Sequence, residues 1–172
     1  WCKPNYNSVV ATFCNSIAKD LTILIDDESK KIELVYIDDV IKHFVELIFD
    51  MRMPGGFQHC TPTTHITLEE LAQNIKKLKC SRENIITEKV GSGFLRSLNA
   101  TFLSYLPQQQ FTYKLPIYSD KRGTFMEMLK TKDSGQFSIL TAKPGVSRGE
   151  HYHHTKTEKF FVVQGHAKFG FI

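Results

Sequence analysis

Residues 145–165 read GVSRGEHYHHTKTEKFFVVQG. His151 and His153 stand two apart, Glu158 follows five further on, and glycines close both ends. Side chains at i and i+2 of an extended strand point to the same face, so the two imidazoles can reach one point. Glu158 can join them from the next strand or from the bend. His154 is offset by one residue and faces the other way. Two imidazoles and a carboxylate leave open positions on a divalent transition metal, which suits Lewis-acid or oxygen chemistry. Short segments bounded by glycine also argue for β structure here rather than helix.

Working outward, the texture on the C-terminal side of Pro107 is that of short strands. They are expected at Phe111–Leu115, Thr124–Leu129, Gln136–Ala142, His151–Tyr152, Glu158–Val163 and Ala167–Ile172, with Asp120–Gly123, Asp133–Gly135 and Lys143–Gly145 as turns. Evenly spaced short strands suggest a double-sheet barrel or jelly roll. Before Pro107 the pattern is α/β. Val9, Val10, Phe13 and Ile17 recur at helical spacing behind an Asn7 or Ser8 cap. Strands are expected at Leu21–Ile25, Ile32–Ile37 and Phe57–Cys60. Asp38 is expected to cap a helix burying Val40, Phe44, Leu47 and Ile48. Thr67-Leu68-Glu69-Glu70 reads as a capping box opening a helix to about Lys79, and a looser helix runs from Gly93 to Ser104. The polar run Gln108–Gln110 is read as the join, dividing the chain into 1–107 and 108–172.

Composition bounds the function. With 41% hydrophobic and 23% charged residues the chain has ordinary globular composition. No apolar run approaches the roughly 18 residues of a membrane span. The first residue is Trp1, not Met, so a fragment or a trimmed chain is expected. Cys2, Cys14, Cys60 and Cys80 show no CxxC spacing, and reduced thiols in a cytoplasmic protein are expected. Residues 1–107 hold 12 Lys/Arg against 13 Asp/Glu, whereas 108–172 hold 10 against 5. A basic C-terminal portion attracts anionic small molecules. It lacks the clustered arginines and stacking aromatics of a nucleic-acid face, so nucleic acid is excluded as a partner.

Three resemblances sharpen this. The spacing G-x5-H-x-H-x4-E-x6-G resembles the first motif of the cupin superfamily. Asp120-x-Arg122-Gly123-x-Phe125-x-Glu127 is similar to a signature of cupins that epimerise keto sugars attached to nucleotides. The run KPNYNSVVATFCNSIAKDLTILIDD, then LVYIDDVIKHFVELI, HITLEELAQNI and LNATFLSYLP, resembles the C-terminal, substrate-binding portion of an extended short-chain dehydrogenase/reductase. That family's glycine-rich cofactor turn is not found. Its Tyr-x-x-x-Lys pair is expected to be missing too, at each of Tyr6, Tyr36, Tyr105, Tyr113, Tyr118 and Tyr152.

The order, reductase tail then first half of a cupin, resembles the bifunctional reductase–cupin enzymes of bacterial capsular polysaccharide synthesis. That resemblance implies C3 epimerisation of a UDP-linked 4-keto-6-deoxy amino sugar by a zinc-binding cupin. It implies C4 reduction by NADPH at a site outside this chain, giving an N-acetyl-L-fucosamine precursor. It also implies a homodimeric parent. On that basis His151, His153 and Glu158 are the metal ligands, Arg122, Arg148 and Lys159 the substrate contacts, and the catalytic acid and base are unassigned. The cupin's second motif is not found before Ile172. Competing expectations are a non-catalytic cupin module that binds or dimerises, and an iron-dependent cupin dioxygenase, against which the reductase-like half argues.

Overall fold

The computed structural model describes residues 2–49 and 55–170. Its helical unit is built on α1 (Val9–Ala18), α3 (Leu68–Asn84) and α4 (Gly93–Ser104). Ser8 caps α1, its hydroxyl accepting from the Ala11 N–H at 3.2 Å. The capping box of α3 forms as expected: Glu70 N–H donates to Thr67 Oγ1 at 3.1 Å, and Thr67 N–H donates to Glu70 Oε2 at 2.9 Å. Two orphan donors of the first turn are thereby satisfied. The helix runs five residues past Lys79. Phe13, Cys14 and Ile17 of α1 meet Leu71, Ile75 and Leu78 of α3 and Leu98 and Phe102 of α4 in the core.

A two-stranded antiparallel ribbon, β1 (Lys31–Val35) with β2 (Thr63–Thr67), sets Ile32 opposite Ile66 beside that core. Between them lies α2 (Ile37–Phe49), beginning one residue before Asp38. Asp38 therefore sits in the first turn, where a carboxylate complements the helix dipole. Its expected stripe of Val40, Phe44, Leu47 and Ile48 is not buried; no described residue of α2 is.

The second sheet is antiparallel, ordered β3 (Ile117–Asp120), β4 (Gly123–Lys130), β5 (Gln136–Leu140), with an irregularity between Glu127 and Leu129. Pro116 supplies no N–H, and the ladder begins immediately after it, so the strand expected at 111–115 falls instead at 117–120. Residues Leu21–Ile25 form no ladder: Ile23 and Ile25 pack against the core and Leu24 faces water, but no neighbouring strand offers hydrogen bonds. The strand expected at Phe57–Cys60 lies at Thr63–Thr67, and Phe57 is exposed. His151–Tyr152 and Glu158–Val163 have no partner row and run as exposed coil, as do the described residues of Ala167–Ile172; Phe171 and Ile172 lie outside the described residues. The fold is thus mixed α/β with two antiparallel sheets, and no closed barrel is present among the described residues. No described helix is long and apolar enough to cross a membrane.

The stretch read as the join is a single 3-10 turn, Gln108–Gln110. It is tied to the helical unit, because the Gln110 side chain donates to the Ala18 carbonyl at 3.0 Å and Arg82 donates to the Gln110 carbonyl.

Candidate functional site

The β3–β4 turn organises the first part of the site. Asp120 accepts from the Arg122 main chain at 2.8 Å and, through its other oxygen, from Arg122 Nε and Nη2 at 2.9 and 2.7 Å. These bonds hold the Asp120 carboxyl below its ordinary range, the Arg122 side chain first among the causes. Gly123 follows with φ +146°, and a Cβ there would stand 2.2 Å from the Thr141 carbonyl oxygen. Only glycine allows that approach.

The approach brings the start of β4 against the residues that follow β5. Thr124 and Thr141 share a hydroxyl–hydroxyl bond of 2.7 Å, and Thr124 N–H donates to Thr141 Oγ1 at 3.0 Å. Arg148 closes the node: its Nη1 donates to the Thr141 carbonyl at 2.8 Å and the Thr124 carbonyl at 3.5 Å. It bonds carbonyls rather than a carboxylate, so its charge is not neutralised there. The structure thus gathers Arg122 and Arg148 about one strand end, while Lys159 is exposed in the coil beyond. Sequence reasoning missed the Thr124/Thr141 pair, since cross-strand register is not written in spacing.

Two residues after Arg148, Glu150 lies in the left-handed region, φ 60°, and the histidine string begins at the next residue. Alternate rings then pair. His151 and His153 lie 4.8 Å apart, centroid to centroid, and Tyr152 and His154 lie 5.0 Å apart. This is the two-residue alternation of an extended chain, though no ladder forms. His153 Nε2 stands 3.7 Å from Glu158 Oε1. The donor types suit a borderline divalent ion, and His153 stands near both His151 and Glu158. The three donors do not close on one point, and no group of three His, Cys, Asp or Glu able to hold a metal is assembled among the described residues.

One sequence expectation needs correction. Tyr152 and Lys156 do stand at Tyr-x-x-x-Lys spacing. On a helix that spacing would put both side chains on one face. Here the stretch is irregular and exposed, and the Tyr152 ring lies against His154.

Residues 118–172 match the family described as polysaccharide biosynthesis C-terminal domain. Over 171 residues the chain is 50% identical to the UDP-2-acetamido-2,6-beta-L-arabino-hexul-4-ose reductase of Pseudomonas aeruginosa, a match covering 99% of this chain and 46% of that protein. The crystal structure of the capsular polysaccharide assembling protein CapF from Staphylococcus aureus superposes with a TM-score of 0.82 at 39% identity, covering 90% of this chain and 42% of that one. A structure of CapF with the inhibitor 3-isopropenyl-tropolone gives 0.83 at 39% identity, covering 90% and 46%. The chain therefore spans slightly less than half the length of the curated relative it matches. In sequence and in fold it is CapF-like.

Proposed function

We propose, from this CapF-like sequence and fold, that the chain is part of a bifunctional nucleotide-sugar enzyme of capsular polysaccharide synthesis. The substrate is a UDP-linked 4-keto-6-deoxy amino sugar. In the whole protein, residues 1–107 serve as the substrate-binding tail of an extended short-chain reductase, and residues 108–172 open a cupin jelly roll. The whole protein is cytoplasmic and dimeric. The observation that carries this reading is the 50% identity to a UDP-hexulose reductase over 171 residues, the histidine string included.

Two balanced steps follow from that substrate. In the first, a base removes the proton on C3, leaving an enolate whose charge rests on the C4 oxygen; an acid then returns a proton to the other face. In the second, NADPH gives hydride to the C4 carbonyl carbon and the oxygen takes a proton, yielding the alcohol and NADP⁺. The nicotinamide site is assigned to the parent protein outside this chain. Within this chain, Arg122, Arg148 and Lys159 are assigned to the anionic UDP-sugar. Arg148 suits the role best, as its headgroup bonds no carboxylate. His151, His153 and Glu158 are assigned to a divalent ion, with zinc the expected metal. Such an ion supplies Lewis-acid polarisation of the ketone. His154 stands aside, paired with Tyr152.

The test uses the full-length protein and its variants His153→Ala and His154→Ala. Elemental analysis should find the ion lost from the first and kept by the second, with epimerisation, followed as solvent deuterium entering C3, lost in parallel. Equal loss from both variants, or retention by both, refutes the assignment.

A further inference from the structure

The link between the helical unit and the β3–β4–β5 sheet is not confined to the covalent join near Pro107. On leaving α3 the chain takes a left-handed turn at Ile85, φ 56°, a conformation unfavourable for a β-branched residue. Ile85 is nevertheless buried, so its surroundings hold it there. The next residues run parallel to the end of β4. Lys130 N–H donates to the Ile85 carbonyl at 3.1 Å, and Thr87 N–H donates to the Lys130 carbonyl at 2.7 Å, forming a parallel bridge at Ile86.

The register continues into the side chains. Lys132 pairs with Glu88 at 2.7 Å and Lys89 with Asp133 at 2.7 Å. Residues 86 and 130, 88 and 132, 89 and 133 are each 44 apart in sequence, the constant offset of a parallel pairing. Both main-chain groups of Lys130 point away from β5, because the rung toward β5 falls on Thr131, whose N–H donates to the Gly135 carbonyl at 2.9 Å. The β3 pairing covers only residues 123–126 of β4. Residues 85–87 therefore continue the row that β3 leaves unfilled.

A cleft of about 210 Å³ beside this contact is lined by Arg82, Glu88, Asn99 and Tyr113, among others. Arg82 there lies 4.5 Å above the Tyr113 ring and donates to the carbonyls of Gln110 and Phe111. Glu88 is committed to Lys132. Of the polar side chains in the cleft, Glu88 reaches across to the sheet through Lys132, while Arg82 holds the segment that leads from the join toward β3.

We infer that residues 85–89 are a clasp: the helical unit lends the sheet a parallel edge segment, and the two units open as one cooperative body. The clasp also anchors β4 at the end opposite Gly123 and Thr124, around which Arg122 and Arg148 gather. It stands on main-chain geometry and does not depend on the proposed activity.

Hydrogen exchange on the chain tests it, read separately for 123–140 and for 68–84. Thr87→Pro removes the donor to Lys130. Amides of β4 and β5 should then exchange about tenfold faster, while those of α3 around Leu71 and Ile75 keep their protection. The double variant Lys89→Gln, Lys132→Gln leaves the main chain intact and should speed sheet exchange about two- to fivefold, the scale of partly exposed ion pairs. If Thr87→Pro unfolds α3 as well, the charge variant decides: faster sheet exchange upholds the clasp, and unchanged exchange overturns it. Sheet exchange unaffected by either variant overturns it outright.

Discussion

Replacing Gly123 with Ala isolates the contact on which the arginine node rests. The new Cβ would lie 2.2 Å from the Thr141 oxygen, 2.8 Å from its carbonyl carbon and 3.2 Å from Ala142 Cα. All three are main-chain atoms, so no side chain can swing aside. To restore ordinary contact the residues after β5 must retreat by about 1 Å, given van der Waals separations well above 3 Å. That retreat breaks the 2.9 Å bond from Thr141 N–H to the Thr124 carbonyl and the 3.0 Å bond from Thr124 N–H to Thr141 Oγ1. Each contributes about 1 kcal/mol. A φ of +146° adds about 1–3 kcal/mol for a residue with a Cβ. The expected loss is about 3–5 kcal/mol. Gly135→Ala is the control, since Gly135 also has a positive φ, +94°, but meets nothing within 4 Å. It should cost only the conformational part, about 1–3 kcal/mol. Urea titrations followed by circular dichroism measure both, with the slope compared to confirm that only stability has moved. Equal midpoints for the two variants would refute the steric argument.

Two further outcomes follow from the helical unit. Thr67→Ala removes half the capping box of α3 and should cost about 1 kcal/mol by thermal unfolding at neutral pH. Glu70 has its carboxyl held low by the Thr67 N–H first and the hydroxyl second, so its folded value lies beneath its unfolded one. The stabilisation from the carboxylate is therefore present above about pH 4.5 and disappears as pH falls through the folded value. The gap between parent and variant should narrow over that fall without closing, because the variant keeps the residue 67 N–H and loses only the hydroxyl. Cys14 is buried and its thiol is pushed up to about 12, whereas Cys2 and Cys80 are exposed. A disulfide reagent at pH 8 should label Cys2 and Cys80 rapidly and Cys14 only on unfolding; equal rates would show that the core around Phe13 and Ile17 opens freely.

Local signals were the legible ones. Ser8, the Thr67/Glu70 box and the bounds of α4 depend on residues within a turn or two, and the sequence carries them directly. The strands were less legible because a strand is completed by a partner. Leu21–Ile25 has the apolar character of one and lacks the neighbour, and Glu158–Val163 fails for the same reason. Pro116 marked where β3 had to begin, yet the aromatic run before it drew the expectation too early. For the site, alternation fixed which rings pair, with His151 against His153 and Tyr152 against His154. Convergence on a third donor needs tertiary constraint that spacing does not contain. The parallel contact at 85–89 was illegible, since nothing local announces a partner 44 residues away.

Helix α2 has a consequence of a different kind. Ile37, Ile41, Phe44, Val45, Ile48 and Phe49 all face water. At about 1.5 Å per residue they form an apolar strip roughly 18 Å long, flanked by Asp38, Asp39, Lys42 and Glu46. The core is built by α1, α3 and α4, so this strip lies outside it, and an exposed apolar strip of this kind favours association between molecules. Charges placed at Ile41 and Ile48 would suppress self-association without removing a buried side chain from the core.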